Sequence, residues 1–403
     1  MFSPKDKQDK LIRATDLDAL SCRDSINKKG HLPVEDPYIA MLVKSYEDNL
    51  RWCQGYTGLS APRTLRNVFG ETKQPLINRG TYLRSKVIFE IIHSFIAEFR
   101  NESQIISLGS GSDTKLFSIL ESNHDITVHE YDYPESAKIK KLAILKHDKL
   151  RHTLRVEEGE DQTATMPTIQ SKKDFEIYEP DLHTRNYHLH GQDLRDVNNL
   201  DITGVDTNKP TLVLSECALC YLSAHDYERV VNFWSTIGHN LTGFLIYEPI
   251  TLGDSFGEVM SRNLQGRGLH LPTSEAYPTI DSRIKFLTSM GLENLYLTDM
   301  GVVGGYEATH AAKNNPWISE LEMERLNGIE RIDEHEELAL LLRHYCLIYG
   351  ESKKENQSLS FNSSSGLNPS SNTASGSNAH LKPVFTRISR WDWSRNVKDC
   401  SLD

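Results

Sequence analysis

A chain of 403 residues has room for two average domains or for one elaborated α/β domain with extensions. Its composition, 38% hydrophobic and 25% charged, suits a globular protein with a sizeable core and excludes a small stapled fold. The formal charge of -11, from 45 basic against 56 acidic residues, argues against a general nucleic-acid surface.

The start, MFSPKDKQDK, has no apolar leader core, and no run of 18 apolar residues occurs, so no membrane association is expected. Cys22, Cys53, Cys217, Cys220, Cys346 and Cys400 show no framework spacing and read as reduced thiols. These features together predict a soluble, cytoplasmic or nucleocytoplasmic protein, with a monomer as the default state.

Residues 1–30 are polar and read as a mobile segment with one short helix over Leu17 to Ile26. Residues 31–350 read as the main domain. Between Pro37 and Trp52, Ile39, Leu42, Val43, Tyr46 and Leu50 recur at helical spacing, as do Leu83, Val87, Ile88, Ile91, Ile92 and Phe95 further on. Two helices therefore precede the first strong strand, Gln104 to Leu108. That strand ends in Gly109-Ser110-Gly111-Ser112-Asp113 and is followed by a helical stretch, Thr114 to Glu121, a strand, Gly-rich turn, helix unit.

A second strand, Ile126 to Tyr131, ends at Asp132, and Ser136 to His147 follows as a helix. Residues 150–186 read as an irregular insertion. Strands resume at Tyr187 to Leu189, Thr211 to Leu214 and Gly243 to Tyr247, then at Leu295 to Thr298 and Tyr345 to Ile348. The alternation predicts an α/β fold with a mostly parallel sheet of about seven strands and helices on both faces. Residues 351–380 are a Ser/Asn-rich low-complexity segment, and 381–403 carry a candidate edge strand over Leu381 to Trp393.

In a parallel sheet, ligands bind beyond the carboxyl ends of the strands. Gly109 and Gly111 permit close backbone approach there, but the G-x-G pattern lacks the third glycine of a dinucleotide fingerprint, which makes a dehydrogenase the weaker reading. Glu130 and Asp132, roughly 20 residues on, stand where a carboxylate can accept both ribose hydroxyls of an adenosine. Asp193, in Gly191-Gln192-Asp193-Leu194, is placed to hold an adenine amine, and Glu216, in Ser215-Glu216-Cys217, to hold a ligand ammonium. Each residue taken singly is equally a turn or cap residue. Cys217-x-x-Cys220 has no second pair, and His183, His188 and His190 read as surface or core residues, so no metal site is expected.

One ordered set of segments goes further. Asn78-Arg79-Gly80-Thr81-Tyr82-Leu83-Arg84, the Leu108 to Asp113 turn, Glu130-Tyr131-Asp132-Tyr133-Pro134, Gly191 to Asp196, Ser215 through Tyr221 and His344-Tyr345-Cys346 together resemble the leucine carboxyl methyltransferase family, from about Asp36 to Tyr349. The resemblance implies a Rossmann-like class I fold that uses S-adenosylmethionine, with extra N-terminal helices and insertions. It implies methylation of the C-terminal leucine carboxylate of the type 2A protein phosphatase catalytic subunit, which regulates holoenzyme assembly. By motif match it implies cofactor contacts at Arg84, Gly109, Asp132, Asp193, Leu194 and Glu216, and at Lys29, although the sequence between Lys29 and Asp36 departs from the family pattern and Lys28 competes. Arg84 suits a carboxylate because its planar fork binds two oxygens at once. For the substrate carboxylate, Tyr221 and either Arg79 or Arg267 are the expected positioning residues. Two other readings remain open at this point, a related methyltransferase acting on a small acid or modified tRNA base and a non-catalytic phosphatase-binding scaffold.

Overall fold

The computed structural model describes residues 4–99, 102–122, 125–156, 166–306, 317–352 and 395–396. Four helices come before the first strand, α1 (Pro4–Lys28), α2 (Pro37–Asn49), α3 (Ser60–Phe69) and α4 (Pro75–Glu98). The first is a single helix of 25 residues, where the sequence predicted a short one behind a mobile segment. Its apolar content is low, but Leu17, Leu20, Ser21, Asp24 and Ile26 are buried, and its polar N-terminal half is used in ion pairs described below. Helices α2 and α4 both start with Pro in the first turn, where the missing N–H costs nothing. On α4 the expected stripe from Leu83 to Phe95 is buried throughout.

The strands are β1 (Gln104–Leu108), β2 (Thr127–Asp132), β3 (Leu182–His183), β4 (Tyr187–Gly191), β5 (Thr211–Glu216), β6 (Thr242–Pro249), β7 (Leu292–Asp299), β8 (Tyr345–Ser352) and β9 (Arg395–Asn396). They form one sheet in the order β3-β4-β2-β1-β5-β6-β8-β7-β9. Pairs β4-β2, β2-β1, β1-β5 and β5-β6 are parallel, and β8 runs antiparallel between β6 and β7. The chain order reverses beside β1, which puts the switch point at the Gly-rich turn. This is the class I architecture the resemblance implies, with the seven expected strands and two short additions at the edges.

Alternate residues of each central strand feed two cores. Ile105, Leu212 and Leu214 face the side covered by the N-terminal helices, and Ile106, Leu108 and Val213 face the helix Ala224–Ile237 with Tyr227 and Trp234. Between β1 and β2 lies α5 (Lys115–Ser122), and α6 (Pro134–Lys146) follows β2.

The 150–186 segment is more regular than expected. A helix at Lys172–Ile177 is set by a capping box, with Ser171 accepting from Asp174 N–H and Asp174 returning the bond. Lys138 and Lys141 of α6 donate to the carbonyls of Phe175, Glu176, Glu179 and Asp181, which pins the segment and leads it into β3. Of the Ser/Asn-rich stretch, all but residues 351–352 lie outside the described residues, as does the expected strand from Leu381 to Trp393; β9 falls just after it. No described helix is long and apolar enough to cross a membrane.

Candidate functional site

A cavity of about 540 Å³ opens at the carboxyl ends of β1, β2, β4 and β5. Its floor is the Gly-rich turn. Gly109 has φ +66°, and a Cβ there would stand 2.4 Å from the Ala218 methyl; at Gly111, φ +45°, it would stand 2.3 Å from Asp16 Oδ1. Both positions therefore require glycine for conformation and for room.

Asp132, at the last residue of β2, accepts from Gly111 N–H at 2.6 Å and from Tyr133 N–H at 2.7 Å. Burial, and then the nearby Asp16 carboxylate, push its carboxyl up to about 6 against those two bonds. Asp193 and Leu194, just past β4, line the same cavity. Arg195 grips Asp193 through Nε at 2.9 and 3.0 Å and reaches Asp9 of α1 at 2.8 and 2.9 Å.

Glu216, the last residue of β5, holds two cations. Arg84 of α4 donates to Oε1, and Lys115 Nζ of α5 lies 2.7 Å from Oε2. Burial raises the Glu216 carboxyl, but Arg84 and Lys115 outweigh it and hold the group below its usual value. The Arg84 guanidinium also lies over the Tyr247 ring, 4.9 Å from its centroid. With Nε engaged, the two terminal amino groups of Arg84 remain to grip a carboxylate.

Six of the seven expected cofactor residues, Arg84, Gly109, Asp132, Asp193, Leu194 and Glu216, thus line one cavity, together with Tyr221 and Arg267. Three expectations are corrected. Lys29 lies outside the cavity, where its ammonium bonds Glu330 at 2.9 Å, because α1 ends before it and turns the chain toward the segment after Ile329. Arg79 is 1% exposed and donates to Tyr306 Oη at 2.7 Å and Asn327 Oδ1 at 3.0 Å, since it sits on the face of α4 turned away from the strand ends. Glu130 is fully buried against Lys140 at 2.7 Å and Tyr187 Oη at 2.6 Å, because only the last residue of β2 reaches the edge. A fourth correction concerns the histidines. His183 and His190, with Asp201, put ligand-type atoms within 4.8 Å of one another, where no grouping was expected.

Sequence reasoning missed Asp16 and Arg23, one above the other on α1. Asp16 accepts from Ser112 N–H at 2.6 Å and Ser112 Oγ at 2.7 Å. Arg23 bridges Asp113 at 2.5 Å, Thr114 Oγ1 at 2.9 Å and Asp36 at 3.1 Å. Nothing local marks either residue, since their partners in and beside the Gly-rich turn lie 90 to 96 positions away. Lys115 was legible in principle, as a cation two residues after the Asp113 that closes the turn.

The cavity's chemistry fits a zwitterionic nucleoside. Asp132 offers a carboxylate at the strand end, Leu194 an apolar wall, Arg84 and Lys115 two cations, and Glu216 an anion. Its size is also right for a ligand of that class. Residues 12–235 match the family described as leucine carboxyl methyltransferase. The chain is 51% identical over 359 residues to leucine carboxyl methyltransferase 1 of Candida albicans, covering 88% of this chain and 96% of that one. It is 48% identical over 360 residues to the Debaryomyces hansenii protein of the same name, covering 87% and 95%. Among solved structures it resembles a plantazolicin methyltransferase, at 12% identity and TM-score 0.39, covering 78% of this chain and 99% of that one. The sequence matches span the Gly-rich turn, Asp132, Asp193, Glu216 and the helices around them, so the protein is a class I methyltransferase whose methyl donor is S-adenosyl-L-methionine, and it belongs to the leucine carboxyl methyltransferase family.

Proposed function

We propose that the protein methylates the α-carboxylate of the C-terminal leucine of the type 2A protein phosphatase catalytic subunit, and so regulates assembly of the phosphatase holoenzyme. The reading is carried by one observation, a cavity at the switch point whose charges suit the donor and whose rim residues belong to a family named for leucine carboxyl methylation.

The bound donor supplies an electrophilic methyl group. In this reading Asp132 accepts the ribose hydroxyls, Asp193 and Leu194 hold the adenine, Arg84 with Lys115 takes the donor's carboxylate, and Glu216 its ammonium. A C-terminal carboxylate has a pKa of roughly 3.5, so it is already anionic at neutral pH and no general base is needed. The protein's task is alignment, which contributes about 7–11 kcal/mol in well-ordered sites.

Burial pushes the Tyr221 hydroxyl well above its ordinary value, so it stays protonated and able to donate to the carboxylate. Arg267 takes the role expected of Arg79. It lines the cavity, and its guanidinium, 62% exposed, meets Asp18 of α1 at 2.8 Å, a surface pair weak enough to be exchanged for a substrate carboxylate.

The test is transfer of labelled methyl from S-adenosylmethionine to the purified phosphatase catalytic subunit, beside the same subunit lacking its terminal leucine. The expected result is base-labile label on the intact subunit alone. Transfer to neither, with cofactor binding intact, would send the substrate back to small acids or RNA. Tyr221→Phe is expected to lose turnover by about 10-fold or more while cofactor affinity holds, the loss of one charge-assisted bond.

A further inference from the structure

The histidines at the β3 edge form a cluster apart from the cavity at the strand ends. Strands β2, β4 and β3 stand side by side, with His129 opposite His188, Tyr131 opposite His190, and His183 opposite His188. One face therefore carries a layer of rings, in which Tyr131 stacks on His190 at 4.3 Å and His129 on His188 at 4.6 Å. Asp201, from the loop after β4, closes over this layer. Its Oδ2 lies 3.5 Å from His190 Nδ1 and 4.0 Å from His183 Nε2.

Three features distinguish this group from a packed aromatic layer. First, His190 is fully buried, and its Nδ1 faces the Asp201 carboxylate at 3.5 Å without a well-formed hydrogen bond. Second, each candidate ligand ring has a contact at its other nitrogen that can take the ring proton. His190 Nε2 lies 3.4 Å from His129 Nδ1, and His183 Nδ1 lies 3.2 Å from His188 Nδ1, so a proton on the inner nitrogen leaves a lone pair on the outer one. Third, Asp201 is held for the task. Its Oδ1 accepts from Thr203 N–H and Oγ1, its N–H donates to Gln192 Oε1 at 2.7 Å, and its carbonyl accepts from Tyr131 Oη at 2.7 Å, which leaves Oδ2 to the histidines.

We propose that His183 Nε2, His190 Nδ1 and Asp201 Oδ2 bind one divalent late first-row cation, Zn²⁺ by preference, with a fourth position left to water. Two imidazoles and a carboxylate suit Zn²⁺ among available ions, and ligands in a tetrahedral site stand about 3.4 Å apart. The His190–Asp201 separation already meets this, and His183, on a two-residue edge strand and 26% exposed, has the freedom to close in. The ion would tie β3 and the 195–206 loop to β4. It would thereby steady Gln192, Asp193 and Leu194, the next residues along, where they line the methyl-transfer cavity.

The experiment uses the full chain free of any polyhistidine tag, stripped with a chelator and titrated with Co²⁺ and then Zn²⁺ while visible absorption and thermal unfolding are followed. One equivalent is expected to bind with the absorption of a tetrahedral nitrogen–oxygen site, without a thiolate band, and to raise the unfolding temperature. His183→Gln and Asp201→Asn, both at partly exposed residues that the core does not need, are each expected to lower affinity by at least about 100-fold. The proposal is overturned by no binding to the folded protein, by unchanged affinity in both variants, or by a thiolate band, which would move the ion to Cys217 and Cys220. Methyl transfer takes no part in the readout, so this result and that of the substrate test are independent.

Discussion

Asp132 is the residue whose protonation the structure most directly couples to function. Burial and Asp16 push its carboxyl up to about 6 from its usual 3.8, so the folded state takes up this proton more readily than the unfolded chain. The sign follows. Ionising Asp132 costs stability progressively between about pH 4 and pH 6, while the ionised form is the one that the proposed ribose contact requires. Cofactor affinity is therefore expected to fall about 10-fold between pH 7 and pH 5, and titration calorimetry across that range checks it. Asp132→Asn is expected to bind weakly at every pH, with apo stability at pH 7 equal to or above that of the parent. A wild-type affinity that does not change over this window would remove Asp132 from the ribose. This position was legible because a strand-end carboxylate is a local pattern; Glu130, two residues earlier, was not separable from it without knowing where the sheet edge falls.

Among the elements, α1 changes most between sequence and structure. Its first half has few apolar residues, so periodicity gives no reason to extend a helix back to Pro4. What sustains the helix is tertiary. Asp9 meets Arg195, Arg13 meets Glu135 at 3.2 Å, Asp16 meets Ser112, and Arg23 meets Asp36 and Asp113. The helix thus forms one wall of the cavity and holds the Gly-rich turn from outside. Arg23→Met would leave Asp36 without its cation and Asp113 with Lys115 alone, at 2.6 Å, so the loss is expected to be about 1–3 kcal/mol, below that of a buried charge left with no partner. Denaturant unfolding is expected to show that loss, and cofactor binding to weaken with it. A change below about 1 kcal/mol would mean that apolar packing through Leu17 and Leu20, and not the Arg23 bridge, seats the helix.

At the scale of the whole molecule, the cavity is walled by α1, α4 and the ends of four strands, so a ligand there joins segments from residue 12 to residue 345. Saturating S-adenosylmethionine is expected to stabilise the folded chain by about 2.7 kcal/mol at 100 times its dissociation constant. Calorimetric scans should show the unfolding temperature raised by a few degrees or more. Arg84→Lys, which replaces a planar fork by a point charge, is expected to lose most of that shift while unfolding as cooperatively as the parent. An equal shift in both proteins would show that the donor's carboxylate is held elsewhere.

The amino-acid sequence by itself determined the β-α alternation, the glycine turn and the polar residues at the strand ends, and these suffice for most of the site. The physical reason is that a parallel sheet delivers the carboxyl ends of its strands to one edge, so Gly109, Asp132, Asp193 and Glu216 converge whatever the lengths of the connections. The tertiary structure alone decided which polar side chains leave that edge. Lys29 and Arg79 turn to the segment around residue 330, Glu130 goes into the core with Lys140, and His183 and His190 gather with Asp201 at the far side of β4. Those pairings depend on helix orientation and on partners up to 301 positions distant, which no local period encodes.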